Sequence, residues 1–288
     1  MLGQSGPECG WLTVSELLSR DSDRARIATG DELSAYLHHH AADVLLALLD
    51  NPFVDETHLC LLLDRKDLPA EILEEVARRK ALLKNYRVKR ALAFHPDTPR
   101  LASLRLVRDL YPMDLAQLAL LPGTPAELKR LAEDQLVARL AQLPLGQKVA
   151  LARRGPARVA GALLGEGHPQ VLSVVLDNAH LTEAQVLKVL SREKLHADVV
   201  YCILRHRKWS FAYNVRLALV RHPVSTLTSI LAYLPELTVS DLRELAAPGI
   251  VSESLRKYLL AEIHRRLDCS NEKGQYAERL AQTESEPD

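Results

Sequence analysis

The sequence predicts an all-α fold, a right-handed α-solenoid of stacked antiparallel helix pairs, and three observations carry that expectation. Val88-Lys89-Arg90-Ala91-Leu92-Ala93-Phe94-His95-Pro96 has the pattern Val-x-x-small-aliphatic-x-x-His/Asn-Pro. It recurs from Val44 to Pro52 and from Val215 to Pro223, with looser copies from Val171 to Ala179 and from Val199 to Arg207. Self-similarity of this kind marks stacked helical units. Leu is roughly one residue in five, aromatics are 5% and only 12 residues are Gly, a profile that favours helix over sheet. Helix-stop signals are followed closely by helix-start signals, as helix hairpins require.

The elements follow in order. Residues 1–30 are a polar segment with a short capping helix: Met1 to Gly10 lacks the apolar core of a signal peptide, Thr13 to Arg20 is helical with Thr13 and Glu16 fitting a capping box, and Asp21 to Gly30 is a polar connector. Asp31 opens a long helix toward Asp50, the start of a repeat domain over residues 31–268. Steps of three, four and seven residues return to one helix face, so Val44, Ala47, Leu48 and Asn51 form a packing stripe. Pro52 stops that helix, and the Asn or His before each such Pro is placed to cap or bond the freed carbonyls.

Leu118 to Pro122, Leu140 to Pro144 and Leu231 to Pro235 are the same kind of end with Leu in place of His. Thr98-Pro99 and Thr124-Pro125 put Thr at an N-cap and Pro in the first turn, and Thr124 with Glu127 and Thr182 with Gln185 fit capping boxes. The apolar runs Val171 to Leu176 and Val199 to Leu204 would pass for strands alone, but each lies inside a helical-period copy of the motif. Ser252 to Leu267 closes the array as an amphipathic helix, and residues 269–288 form an acidic, disordered tail.

Charge bounds the partners. Lys plus Arg and Asp plus Glu are 37 each, so no global field favours nucleic acid or an anionic membrane. Locally, Arg78 to Arg90 holds seven basic residues and no acid, and a second cluster holds Arg205, Arg207, Lys208, Arg216 and Arg221. Such runs are ordinarily solvated helix faces with local pairing; otherwise they form a basic stripe along one surface. Cys9, Cys60, Cys202 and Cys269 lack metal-ligand or disulfide spacing and suit reduced thiols in a cytoplasm. No stretch is apolar enough to span a membrane.

Chemistry-bearing motifs are few. Three consecutive helical residues point about 100° apart, so His38-His39-His40 cannot chelate one ion from a helix, and no metal is expected. His95, His206 and His222 fall near helix C-termini, where a structural role fits them. There is no phosphate loop, nucleophile elbow or zinc-protease motif, and no cofactor is expected.

Val88-Lys89-Arg90-Ala91-Leu92-Ala93-x-His95-Pro96-Asp97-Thr98-Pro99 resembles the unit of the leucine-rich repeat variant and HEAT-like α-solenoids, and Val215-Arg216-Leu217-Ala218-Leu219 repeats part of it. The resemblance runs over about Val44 to Leu267. It implies a HEAT-like superhelix of helix pairs acting as a binding surface, with fold alone leaving the function open.

The expectation is a non-enzymatic, cytoplasmic scaffold binding a protein partner, one preferring acidic character, on the concave face. The candidate contacts are Arg87, Lys89, Arg90, Arg205, Arg207, Lys208, Trp209, Arg216 and Arg221. The alternative is nucleic-acid binding, with resemblance to the HEAT-like alkylpurine DNA glycosylases. Trp209, flanked by Arg205, Arg207, Lys208, Phe211 and Tyr213, would then serve a basic groove. Membrane is not an expected partner.

Overall fold

The computed structural model describes residues 14–192 and 194–283. Among these every regular element is helical, and no helix is long and apolar enough to cross a membrane. The chain divides into two compact units, Met1–Arg139 and Leu140–Asp288. The first holds α1 (Val14–Ala25), α2 (Gly30–Tyr36), α3 (Ala42–Leu48), α4 (Glu56–Leu63), α5 (Ala70–Arg78), α6 (Tyr86–Phe94), α7 (Arg100–Leu106), α8 (Pro112–Leu120) and α9 (Ala126–Arg139). The second holds α10 (Leu145–Arg154), α11 (Ala157–Glu166), α12 (Pro169–Val175), α13 (Glu183–Leu190), α14 (Ala197–Arg205), α15 (Tyr213–Arg221), α16 (Leu227–Tyr233), α17 (Val239–Leu245) and α18 (Glu253–Thr283). Short 3-10 turns at Leu82–Lys84, Val107–Asp109, Leu140–Gln142, Trp209–Phe211 and Leu234–Glu236 join or extend them.

Most of these helices are too short to persist alone, so packing of an apolar stripe must hold them. In α5 the stripe is Ile72, Leu73 and Val76, all buried, while Glu71, Glu74 and Arg78 face water. In α14 it is Val199, Val200 and Ile203. All five copies of the Val-x-x motif are helices, including the two runs that alone resemble strands. Within the first unit α3 lies against α1 and α5, and α4 against α6. Within the second, α10, α12 and α14 pack in succession, as do α11, α13 and α15, while α10–α11 and α11–α12 form hairpins.

A side chain at the end of a helix repeatedly reaches the end of the helix two places earlier. Asn51 donates from Nδ2 to the carbonyls of Ala25 and Ala28, while its Oδ1 accepts the Phe53 N–H. Asn178 does the same to Ala152, Gly155 and His180. His95 Nε2 meets the Arg65 carbonyl, Arg79 donates to Leu49, Trp209 to Leu176 and Tyr233 to Leu204. The last four carbonyls of a helix lack intrahelical partners, and these latches satisfy them from the next helix of the same rank. Asn51, His95 and Asn178 therefore bond carbonyls at the end of the helix two places earlier, whereas His206 meets the Asp177 carboxylate.

These latches reveal a larger period. Asn51 and Asn178, His95 and His222, Tyr86 and Tyr213, Asp114 and Asp241, and Arg139 and Arg266 all stand 127 positions apart. The bounds of α3, α4, α5, α6 and α7 coincide at that offset with those of α12, α13, α14, α15 and α16. Side-chain bonds coincide too: Tyr86 and Tyr213 each bond Asp114 or Asp241 through the hydroxyl and accept a backbone N–H, from Tyr111 and Thr238. The chain is thus a tandem duplication of one multi-helix unit. The copies also differ in detail: a Cβ on Gly165 would sit 1.9 Å from Arg192 Nη1, while the matching position of the first copy carries His38.

Four boundaries differ from expectation. The helix expected from Asp31 to Asp50 is broken into α2 and α3, because Arg65 draws the carbonyls of Leu37 and His39 outward and His39 Nδ1 accepts the Ala41 N–H. α1 continues to Ala25, into the expected connector. Thr98 does not cap α7; its hydroxyl donates to the Leu92 carbonyl at the end of α6. α18 runs past Leu267 to Thr283, so backbone placed in the disordered tail is helical up to that point. The capping box expected at Thr13 and the start of the polar segment lie outside the described residues.

Candidate functional site: matched grooves between helices of one rank

The latches tie helix ends, so the mid-helix surfaces between neighbours of one rank remain open as grooves. One lies between α4 and α6, with a volume of about 540 Å³, and is lined by Cys60, Leu61, Ala91 and Phe94 with Arg87 and Arg90. The corresponding α13–α15 groove has the same volume, about 540 Å³, and is lined by Leu187, Leu190, Leu217 and Ala218 with Arg192 and Arg221. A third, between α12 and α14, measures about 500 Å³ and is lined by Leu172, Tyr201, Cys202 and Arg205.

The two matched grooves share their framework. Ala91 and Ala218, His95 and His222, and Pro96 and Pro223 are identical pairs at the same address. Their recognition positions differ. Where the first copy has Arg90 followed one turn later by Phe94, the second has Leu217 followed by Arg221, so a guanidinium and an apolar group are presented in reversed order. Burial pushes the His222 imidazole below its usual range, favouring the neutral ring.

Most of the basic candidates are already engaged. Arg87 faces Glu56 at 3.3 Å, Lys89 meets Asp109 at 2.9 Å, Arg90 meets Asp114 at 2.7 Å, and Arg221 meets Glu244 at 2.7 Å. Arg90 also lies 4.9 Å from the centre of the Phe94 ring, and Asn85 bonds Glu56 beside Arg87. The exposed pairs among these, Arg87 with Glu56 and Arg221 with Glu244, contribute little to stability and leave partner contact open.

Arg216 and Trp209 are different in kind. Arg216 is 6% exposed, donates to the Ser210 carbonyl, pairs with Glu236, and lies 5.3 Å and 5.8 Å from the ring centres of Phe211 and Tyr233. Trp209 is 3% exposed and its indole N–H donates to the Leu176 carbonyl. Both belong to the packing, and the Trp209 ring face is not on the surface. Arg205, Arg207 and Lys208 are exposed, with Lys208 Nζ 4.2 Å from the centre of the Trp209 ring. Arg205 lines the α12–α14 groove beside Asp198 and Tyr201.

Other reactive groups are not primed. Burial pushes the Cys60 and Cys202 thiols up, away from the thiolate. Burial, with a bond to the Asp114 carboxylate, pushes the Tyr86 phenol up to about 12. Among the described residues no three His, Cys, Asp or Glu side chains come together to hold a metal ion. His39 and His40 engage the Ala41 N–H and Asp67.

The sequence reading missed the apolar groove residues Leu61, Tyr201 and Leu217. Tyr201 and Leu217 occupy unspecified positions of the repeat motif and Leu61 lies outside it, so only the 127-residue offset shows where the copies diverge. No family model, curated protein or solved structure matches the chain.

Proposed function

We propose that the chain is a non-enzymatic helical-repeat scaffold, an α-solenoid of stacked antiparallel helix pairs, whose inter-helix grooves bind a segment of a protein partner. The observation that carries this reading is the recurrence of one groove at equivalent addresses in both copies, with the Ala, His and Pro of its framework identical and its lining altered. Packing between helices two apart supports the stacked arrangement, because repeat proteins bury their core between successive units. Acidic preference rests on Arg205, Arg207 and Lys208, the candidates that are exposed without a carboxylate partner among the described residues.

The test places a photo-crosslinking residue at Leu61 or Tyr201, in the grooves, and at Phe53 or Leu101, exposed apolar positions outside the groove linings described above. A protein captured from the groove positions alone, which rebinds the purified chain more weakly as salt rises, supports the reading. Equal capture at all four positions overturns groove recognition, and capture of nuclease-sensitive material alone transfers the function to nucleic acid.

A further inference from the structure

The duplication also acts as an internal control for one cavity in the first copy. A pocket of about 430 Å³ opens between the end of α6, α7, and the α8–α9 turn, with Ala93, Phe94, Ser103, Leu104, Leu118 and Leu128 on its wall. Protein interiors are close-packed, and a void forfeits the contacts its walls would otherwise make. The fold itself does not call for this space. At the positions of Ala93 and Ser103 the second copy carries Val220 and Ile230, both buried in one cluster with Leu234, Leu242 and Leu245. Each of these substitutions adds two heavy atoms, and the matching backbone accommodates them.

The charged residues of this region also differ between the copies in sequence. Exposed Lys66, Arg100 and Glu127 lie at the solvent side of the pocket, where Arg100 pairs with Glu127 and Lys66 makes no ion pair among the described residues. The three carry one net positive charge. At the positions of Lys66 and Arg100 the second copy has Glu193 and Leu227. The Ser103 hydroxyl reaches the Thr98 and Pro99 carbonyls only at 3.4 Å, the outer limit of a hydrogen bond, so it is free to turn toward a ligand.

We propose that this pocket binds a small amphipathic carboxylate, with its apolar tail among Ala93, Leu104, Leu118 and Leu128 and its anionic head at Lys66 and Arg100. The volume falls in the range of small-molecule sites, which are mostly apolar with a few orienting polar groups.

Octanoate and octanol serve as probes of the full chain, by isothermal titration and thermal unfolding. Octanoate is expected to bind saturably at one site and raise the Tm, with octanol weaker. Writing the second copy's residues into the first, A93V/S103I, is expected to reduce octanoate affinity by about tenfold or more while the chain folds with an equal or higher Tm. Lys66→Glu is expected to weaken octanoate by about three- to tenfold and leave octanol unchanged. If A93V/S103I does not fold, Leu104→Phe blocks the pocket from a partly exposed position. Absence of octanoate binding to the wild type, or equal binding by the blocked variant, overturns the site; equal affinity for octanol overturns the anionic head.

Discussion

Replacing Asn178 by Ala tests whether the helix-end latches hold neighbouring helices together. Asn178 is 1% exposed; its Nδ2 donates to the Ala152 carbonyl at 2.8 Å and the Gly155 carbonyl at 3.1 Å, and its Oδ1 accepts the His180 N–H at 2.7 Å. Truncation removes three neutral bonds, each contributing about 1 kcal/mol net, and leaves two helix-end carbonyls in a buried setting. A water entering the space left by the amide recovers part of that loss, so the expected destabilisation is about 2–4 kcal/mol. Asn178→Asp keeps the acceptor but has no donor for the carbonyls and adds a charge facing them, so it should destabilise at least as much. The neighbouring Asp177, whose side chain is 78% exposed and bonded to His206, provides the contrast, with a loss under about 0.5 kcal/mol on Asp177→Ala. Urea unfolding followed by far-ultraviolet circular dichroism measures all three. If Asn178→Ala proves as mild as Asp177→Ala, the latch is ornamental and the packing of α12 on α10 must be explained by apolar contact alone.

Three other outcomes follow from the same structure. Arg216→Ala should cost about 2–4 kcal/mol in urea unfolding, since it leaves Ser210 and Glu236 without their buried partner, whereas Arg205→Ala should stay within about 0.5 kcal/mol. Tyr86→Phe should cost about 1 kcal/mol, and Tyr213→Phe less because that site is more exposed; a reversed order would contradict the environments assigned to the two copies. The guanidinium of Arg265, assisted by Arg266, holds the Glu262 carboxyl down to about 2 from 4.5. Because the folded value is depressed, this contribution is complete above about pH 4.5 and fades as pH falls toward 2. The urea midpoint of Glu262→Gln should therefore fall less steeply across that window than the wild type's, and parallel slopes would refute the linkage.

The helix ends were legible because they are local: Val, Ala and Leu at helical spacing set the packing face, and Pro forbids continuation. The break between α2 and α3 was not, since it has no Pro and is imposed by Arg65 from beyond α4. The duplication was present in the motif copies themselves, as Val44 with Val171 and Val88 with Val215, but a nine-residue motif conceals a 127-residue period. Pairing of the basic run was expected, but its carboxylates, Glu56, Asp109 and Asp114, could not be named because they lie some 20 to 31 residues away in the chain. Trp209 shows the same limit. Its basic neighbours suggested a surface platform, while the Leu176 carbonyl that takes its indole N–H belongs to the end of another helix.

The central claim is that shared positions build the fold and divergent groove positions recognise the partner. Its most direct measurement is the dissociation constant of the captured partner for the wild type, for Leu61→Glu and Tyr201→Glu, and for Leu101→Glu, with folding checked by circular dichroism. A loss of about tenfold or more in either groove variant, with Leu101→Glu unchanged, is the predicted result. Unchanged affinity in both folded groove variants would contradict the claim.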